Sequence, residues 1–360
     1  MSVRAANQVR LTLVGPLPPP IHGQSVAMSH MVSQLAPHFA QMRVVNTCEG
    51  TAHGWRRTAV KLGRALGSWW STMRADAVYI AVKADHGMWL TAVAAALARL
   101  TGARVFLHHH SYAYVRERKF RMVVLTFAAG SRARHIVLSE SMAHQLTQVM
   151  PEILEPLIVG NAGLIDRSLT ELSLKPDRTD PVLGHLSDLS LEKGIGEVVD
   201  LAVALHKSGT PARLIVGGPS VEGESRYHLD RAAAELGDLF EYRGLLTGES
   251  KHAFYQDITH FVFPSRYAHE AVPLVLYEAM AAGAVCLATQ QGAIPDQLNG
   301  SPCLLARSVE SFSGEALAYI AGTPVSTAIS RECRQAYLKA LSESEQQLKH
   351  LIDLLDQQQW

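Results

Sequence analysis

The sequence predicts an α/β protein built from two doubly wound, Rossmann-like domains facing a cleft, on three observations. At 360 residues the chain exceeds one ordinary hydrophobic core. Short apolar runs alternate with helical segments, the pattern of parallel strands joined by helical crossovers. That rhythm runs twice, broken by the polar, proline-containing stretch 166–181. The division that follows is 1–165 as an N-terminal domain, 166–335 as a C-terminal domain and 336–360 as a terminal helix.

In the first half, Val9–Val14, Arg43–Val45, Ala77–Ala81 and Arg104–Leu107 are short apolar runs and read as strands, with Ser25–Leu35 and Trp89–Leu100 as helices. In the second half, Val182–His185, Ala212–Val216, Phe240–Tyr242, His260–Phe263 and Val285–Ala288 read as strands. Gly196–Lys207, Tyr227–Leu236 and Pro273–Ala282 read as helices between them, and Leu338–Gln359 as a long closing helix. Ligands of such sheets bind beyond the carboxyl ends of the strands, so chemistry is expected just after a strand.

Composition narrows the class. Hydrophobic residues at 48% and charged residues at 18% describe a soluble globular protein. No run of 18 or more apolar residues is present to span a bilayer, and the N-terminus lacks the apolar core of a signal peptide, so a cytoplasmic location is expected. Cys48, Cys286, Cys303 and Cys333 make no metal-type spacing and read as buried free thiols of a reducing compartment. Net charge is zero, yet residues 1–160 carry 17 Lys and Arg against 7 Asp and Glu, and the remainder 16 against 26. The basic half faces something anionic, or the other half. Its stretch Trp55–Arg74 holds five basic residues, no acidic ones and three tryptophans. That composition suits a helix on an anionic membrane surface, and equally an amphipathic helix packed on a sheet.

Six segments carry candidate chemistry. Glu270 and Glu278 follow the apolar run Phe261–Phe263, the first in a loop and the second inside a helix whose first turn suits Pro273. The pair aims carboxylates at a ligand lying across a helix N-terminus, where free N–H groups favour an anion. Taken alone, the spacing is better explained by a solvated helix face. After the first strand, Gly15-Pro16-Leu17-Pro18-Pro19-Pro20-Ile21-His22-Gly23 combines prolines that stiffen a turn with glycines that let backbone approach an anion; its spacing is neither of the common phosphate-loop patterns. His108-His109-His110 ends a strand, and alternation of side chains keeps the three rings from converging on one metal ion. Gly184–Ile195 ends in Lys193-Gly194, a cation and free N–H groups at a helix start. Gly217-Gly218 and Arg243-Gly244 close two further strands.

Together these segments resemble retaining glycosyltransferases of the GT-B fold, family four. Pro-Ser, the two glutamates eight apart and Glu-Ala-Met-Ala-Ala-Gly resemble the donor-site signature of that family. The resemblance implies transfer of a sugar from a nucleoside-diphosphate donor to a hydroxyl of a lipid-linked or polysaccharide acceptor, with retention and without a metal. It implies His110, with His109 as the alternative, against the donor sugar, Lys193 on the diphosphate and Glu270 on the sugar hydroxyls. Gly23 and His22 then lie against the diphosphate, His22 standing where the family has glycine. Gly217, Gly218, Arg243 and Gly244 line the nucleotide, Ala271, Val272, Pro273 and Leu274 lead into the donor-binding helix, and Glu278 holds the ribose. The terminal helix is implied to cross back to the first domain. The usual arginine five residues before the lysine is Asp188 here, with Arg266 or an arginine of the first domain to compensate. No nucleic-acid partner and no cofactor beyond the donor are expected; an anionic membrane surface is. A GT-B epimerase or hydrolase of nucleotide sugars, and a non-catalytic nucleotide-sugar binder, share the same motifs.

Overall fold

The structure, a computed structural model, describes residues 7–19, 23–48, 74–177, 180–210 and 212–357. The chain divides into two compact units, one of residues 1–164 with 343–360 and one of 165–342.

The first unit contains strands β1 (Asn7–Gly15), β2 (Phe39–Asn46), β3 (Ala77–Val82), β4 (Arg104–His109), β5 (Arg134–Val137) and β6 (Leu157–Ile158). Among the described residues its helices are α1 (Gly23–Leu35), α2 (Gly87–Leu100), α3 (Phe120–Ala129) and α4 (Glu140–Val149). The strands are parallel in the order β2-β1-β3-β4-β5-β6. Strands buried on both faces read as unbroken apolar runs, as Ala77–Val82 does with all six residues buried. Leu11, Leu13, Met28, Tyr79 and Phe106 form a core with Leu351 and Leu355 from the far end of the long helix that ends the chain. Arg104 caps that helix by donating to the carbonyls of Leu354 and Leu355 at 2.7 Å each, satisfying acceptors that the helix end leaves open.

The second unit contains β7 (Val182–Leu186), β8 (Arg213–Gly217), β9 (Phe240–Tyr242), β10 (His260–Phe263), β11 (Val285–Thr289) and β12 (Leu304–Ala306). Its helices are α5 (Ile195–Lys207), α6 (Gly223–Leu236), α7 (Gly248–Asp257), α8 (Leu274–Ala281), α9 (Ile294–Leu298), α10 (Val309–Gly322) and the start of α11 (Thr327–Asp356). The parallel order is β12-β11-β10-β7-β8-β9. The winding direction reverses between β7 and β10. The strand ends at such a reversal are the place where sheets of this kind take ligands.

Several elements differ from the sequence reading. β2 runs from Phe39 rather than Arg43, and α11 starts at Thr327 rather than Leu338. Pro273 precedes α8 as its N-cap residue instead of standing in its first turn. Helix α3, Phe120–Ala129, was not anticipated, because Phe-Arg-Met-Val-Val-Leu-Thr-Phe is apolar on nearly every side and its period does not separate helix from strand. The stretch Trp55–Arg74 lies outside the described residues except for Arg74.

Candidate donor site

The site is built where β7 and β10 lie side by side. After β7 the chain passes through one 3-10 turn, Leu191–Lys193, and Gly194 at φ +85° turns it into α5. A Cβ on Gly194 would stand 2.6 Å from the Pro264 carbonyl oxygen, so only glycine lets the loop after β7 touch the loop after β10. The Arg266 N–H donates to the Glu192 carbonyl at 2.9 Å and joins the two loops.

This contact brings Lys193 to Glu270. The Lys193 Nζ donates to Glu270 Oε2 at 2.6 Å, with side chains only 17% and 8% exposed. The same ammonium lies 4.6 Å from the centre of the Tyr267 ring and 5.6 Å from that of Phe263, where the ring faces favour a cation. Ser265 Oγ donates to the same Glu270 oxygen at 3.1 Å and accepts from the Tyr267 N–H at 3.2 Å. Thr289 Oγ1 in turn donates to the Ser265 carbonyl at 2.7 Å. The Glu270 backbone rests on Gly292, whose own Cβ would fall 2.1 Å from the Glu270 carbonyl oxygen and whose φ is +58°. Both donors meet Oε2, which leaves Oε1 of this carboxylate to accept from a ligand.

Glu278 is held separately. It is the fifth residue of α8, and its carboxylate accepts from Lys251 Nζ at 2.5 Å through Oε1 and from Tyr255 OH at 2.8 Å through Oε2. Lys251 and Tyr255 are four residues apart on α7 and so share a face. Lys175, buried, anchors the end of α7 by donating to the Tyr255 and Gln256 carbonyls at 2.5 and 3.1 Å. Burial pushes the Lys175 ammonium down to about 7, with Arg334 adding to the shift.

Backbone groups complete the crevice. Gly218, at φ +152°, donates its N–H to the Gly244 carbonyl at 2.8 Å, and a Cβ there would stand 2.4 Å from the Ser187 carbonyl. Gly217, the last residue of β8, packs against Leu246 and Leu186 with no room for a side chain. The Arg243 guanidinium is tied to Glu241 at 2.8 and 3.1 Å and to Asp257 at 2.7 Å, and its N–H donates to the Val216 carbonyl at 2.9 Å, so of its polar groups only the carbonyl is left to a ligand. Ala271 and Val272 are buried, Pro273 has no N–H, and Leu274 begins α8 with the free donors of a first turn. Asp188 accepts from the Ser190 N–H at 3.1 Å as a turn residue. Arg266 pairs with Glu197 at 2.8 Å, so its guanidinium is already committed to a carboxylate. Behind β7, His185 bridges the Val262 carbonyl and Ser187 Oγ at 2.8 Å each, and burial pushes its imidazole down to about 4.

The remaining predicted residues belong to the first unit. Gly23 starts α1 and faces open space, while His22 lies outside the described residues. At the end of β4 the three histidines separate: the His108 and His110 rings lie 4.1 Å apart on one side, and His109 stacks on His135, sharing a 2.9 Å hydrogen bond. His108 Nδ1 meets the Tyr79 hydroxyl, while His110 Nε2 has no hydrogen-bond partner, and burial pushes the His110 ring down to about 4. Sequence reasoning missed Ser265, Tyr267, Lys251 and Tyr255. The pair on α7 carried a signal, a lysine and a tyrosine four apart, but that segment had not been read as a helix.

Both units and their sheet orders match known structures along nearly the whole chain. The structure of HepE from Anabaena in complex with UDP aligns with a TM-score of 0.69 at 14% identity, covering 95% of this chain and 99% of that one. Sucrose-phosphate synthase from Thermosynechococcus elongatus aligns with a TM-score of 0.68 at 14% identity, over 96% of this chain and 98% of that one. A glycosyltransferase from Rickettsia africae aligns with a TM-score of 0.62 at 10% identity, over 96% and 98%. The fold is GT-B. Within it, residues 169–301 match the family model described as glycosyl transferases group 1. That span of the GT-B chain holds Lys193, Gly217, Gly218, Arg243, Gly244, Glu270 and Glu278; His22, Gly23 and His110 lie outside it. No curated protein matches the sequence.

Proposed function

We propose that this chain is a retaining glycosyltransferase that moves a sugar from a nucleoside-diphosphate donor to a hydroxyl of a lipid-linked or polysaccharide acceptor. The observation that carries the reading is the Lys193–Glu270 pair at the switch point of the second sheet, inside the segment that matches the group 1 family model. Departure of a nucleoside diphosphate builds negative charge on its terminal phosphate. Lys193 is the cation beside that position, and the donors at the start of α8 add to it. Glu270, fixed through Oε2, accepts from sugar hydroxyls through its other oxygen. Glu278 accepts from ribose hydroxyls, with Lys251 and Tyr255 fixing its carboxylate in place. His110 contributes a hydrogen bond to the transferred sugar. No side chain is assigned as a covalent nucleophile; the leaving phosphate takes the acceptor proton on the same face, which gives retention. The reaction needs no metal, since the charge of the leaving group is met by Lys193 and backbone donors.

HepE has been captured with UDP and with UDP-glucose, so UDP-sugars are the donors to try first. A thermal-shift screen of UDP- and GDP-sugars finds the donor, because a ligand that binds the folded state raises its apparent stability. Proton NMR of the product then reads the new glycosidic bond. An α-linked product from an α-linked donor, formed equally in EDTA, is expected; an inverted anomer, or loss of transfer in EDTA, overturns the mechanism. Free sugar released without acceptor points instead to a hydrolase. We assign the acceptor to the cytoplasmic membrane face.

A further inference from the structure

Helices α2 and α3 run side by side on one face of the first sheet, and their outer surface is apolar. Of the eleven large hydrophobic side chains exposed among the described residues, six sit on these two helices: Trp89, Leu90, Val93, Leu100, Phe120 and Phe127. Leu100 and Phe127 are each 82% exposed and Phe120 72%. The spacing makes stripes: 90, 93, 97 and 100 on α2, and 120, 123, 124 and 127 on α3. The stripes are held together at both ends. Trp89 meets the edge of Phe120 at 6.2 Å, and Arg99 Nη1 donates to the Phe127 carbonyl at 3.0 Å. Beneath them, Ala92, Ala94, Ala95 and Ala98 are buried, so the helix backbone packs closely and the large side chains are left outside.

Neither helix carries an acidic residue. Cations stand at both ends of the apolar stripes, Arg116, Lys119 and Arg121 at one and Arg99 and Arg132 at the other. From Lys83 to Arg132 the chain has eight Lys and Arg against two Asp and Glu. We infer that this face docks on an anionic lipid bilayer, the aromatic and aliphatic side chains entering the acyl boundary while the rim cations meet phosphate headgroups. Burying the same face against a second copy would set the two cationic rims against each other, with Asp85 and Glu117 as the only carboxylates in that stretch to compensate. The inference deepens the proposal of a lipid-linked acceptor by naming the surface that brings the enzyme to it.

The full chain is sedimented with vesicles of phosphatidylcholine alone and of phosphatidylcholine with one third phosphatidylglycerol, at low and high salt. Binding to the anionic vesicles that weakens with salt, and none to the neutral ones, is expected. Leu100→Ser with Phe127→Ser lowers that binding at least about tenfold, and Lys119→Gln with Arg121→Gln removes most of its salt dependence. Both variants change only exposed or rim positions, and circular dichroism melts equal to wild type confirm that they fold. Wild-type protein that ignores anionic vesicles at low salt, or a Leu100→Ser/Phe127→Ser variant that binds them as tightly as wild type, overturns the inference. So does a wild-type dimer that the same variant converts to monomer without any vesicle binding, which assigns the face to a second copy. Vesicle binding that persists in a protein with no sugar transfer to any acceptor leaves the surface standing and removes the glycosyltransferase reading instead.

Discussion

Lys193 and Glu270 grip each other at 2.6 Å across the ends of the neighbouring strands β7 and β10, while Ser265 holds the same carboxylate oxygen. In the proposed reaction the diphosphate competes with Glu270 for the ammonium. Glu270→Gln weakens the ion pair and frees Lys193, so UDP is expected to bind roughly threefold to tenfold more tightly while sugar transfer falls about a hundredfold or more. Lys193→Ala lowers both. Calorimetric titration with UDP beside initial rates separates the two variants, and equal weakening of UDP by both removes the competition.

Tyr255 and Lys251 orient Glu278 from α7. Tyr255→Phe removes one hydrogen bond to a charged, buried acceptor, an effect of about 1.5–3 kcal/mol. The expected result is a donor KM raised roughly tenfold with kcat nearly unchanged, since the ribose is held equally in ground and transition states. A fall in kcat with KM unchanged places Glu278 in the chemical step.

Gly292 supports Glu270 from below, and its conformation and contacts both exclude a side chain. Gly292→Ala is expected to lower the melting temperature by several degrees and to cut transfer at least tenfold by displacing the Glu270 carbonyl. Gly248→Ala is the control: φ there is +50°, but a Cβ meets nothing within 4 Å. It costs roughly 1 kcal/mol of strain and leaves activity intact.

Acid is expected to destabilise this protein through its buried imidazoles. Burial holds His110, His135, His185 and His260 at about 4, and pushes His108 and His109 down as well. Between the ordinary histidine pKa and about 4 the unfolded chain binds these protons and the folded chain does not, so stability falls as pH drops through that window. Urea midpoints measured from pH 7 to pH 4 are expected to decline steeply, and His185→Gln to decline less. A flat profile shows that the rings take up protons in the folded state as readily as in the unfolded one.

The sequence carried the alternation of strands and helices because strands covered on both faces need unbroken apolar runs, as in Ala77–Ala81 and His260–Phe263. It failed at α3, where the outer face is apolar too, and at α7, whose short polar composition resembles a loop. Cys286 and Cys303 looked scattered, yet the Cys286 N–H donates to Cys303 Sγ at 3.2 Å. Their meeting depends on which strands pair, which spacing along the chain does not encode.

By itself the sequence determined that Glu270 sits in a loop and Glu278 in a helix, that Lys193 precedes a glycine at a helix start, and that three adjacent histidines diverge. Those are consequences of local chemistry: a proline, a Gly-rich strand end, the two-residue period of a strand. Only the tertiary structure decided partners. It placed Lys193 on Glu270 though they are 77 residues apart, gave Glu278 to Lys251 and Tyr255, and tied the guanidiniums of Arg243 and Arg266 to carboxylates. Ion pairs over such separations follow from strand order, and strand order is settled by the packing of the whole sheet.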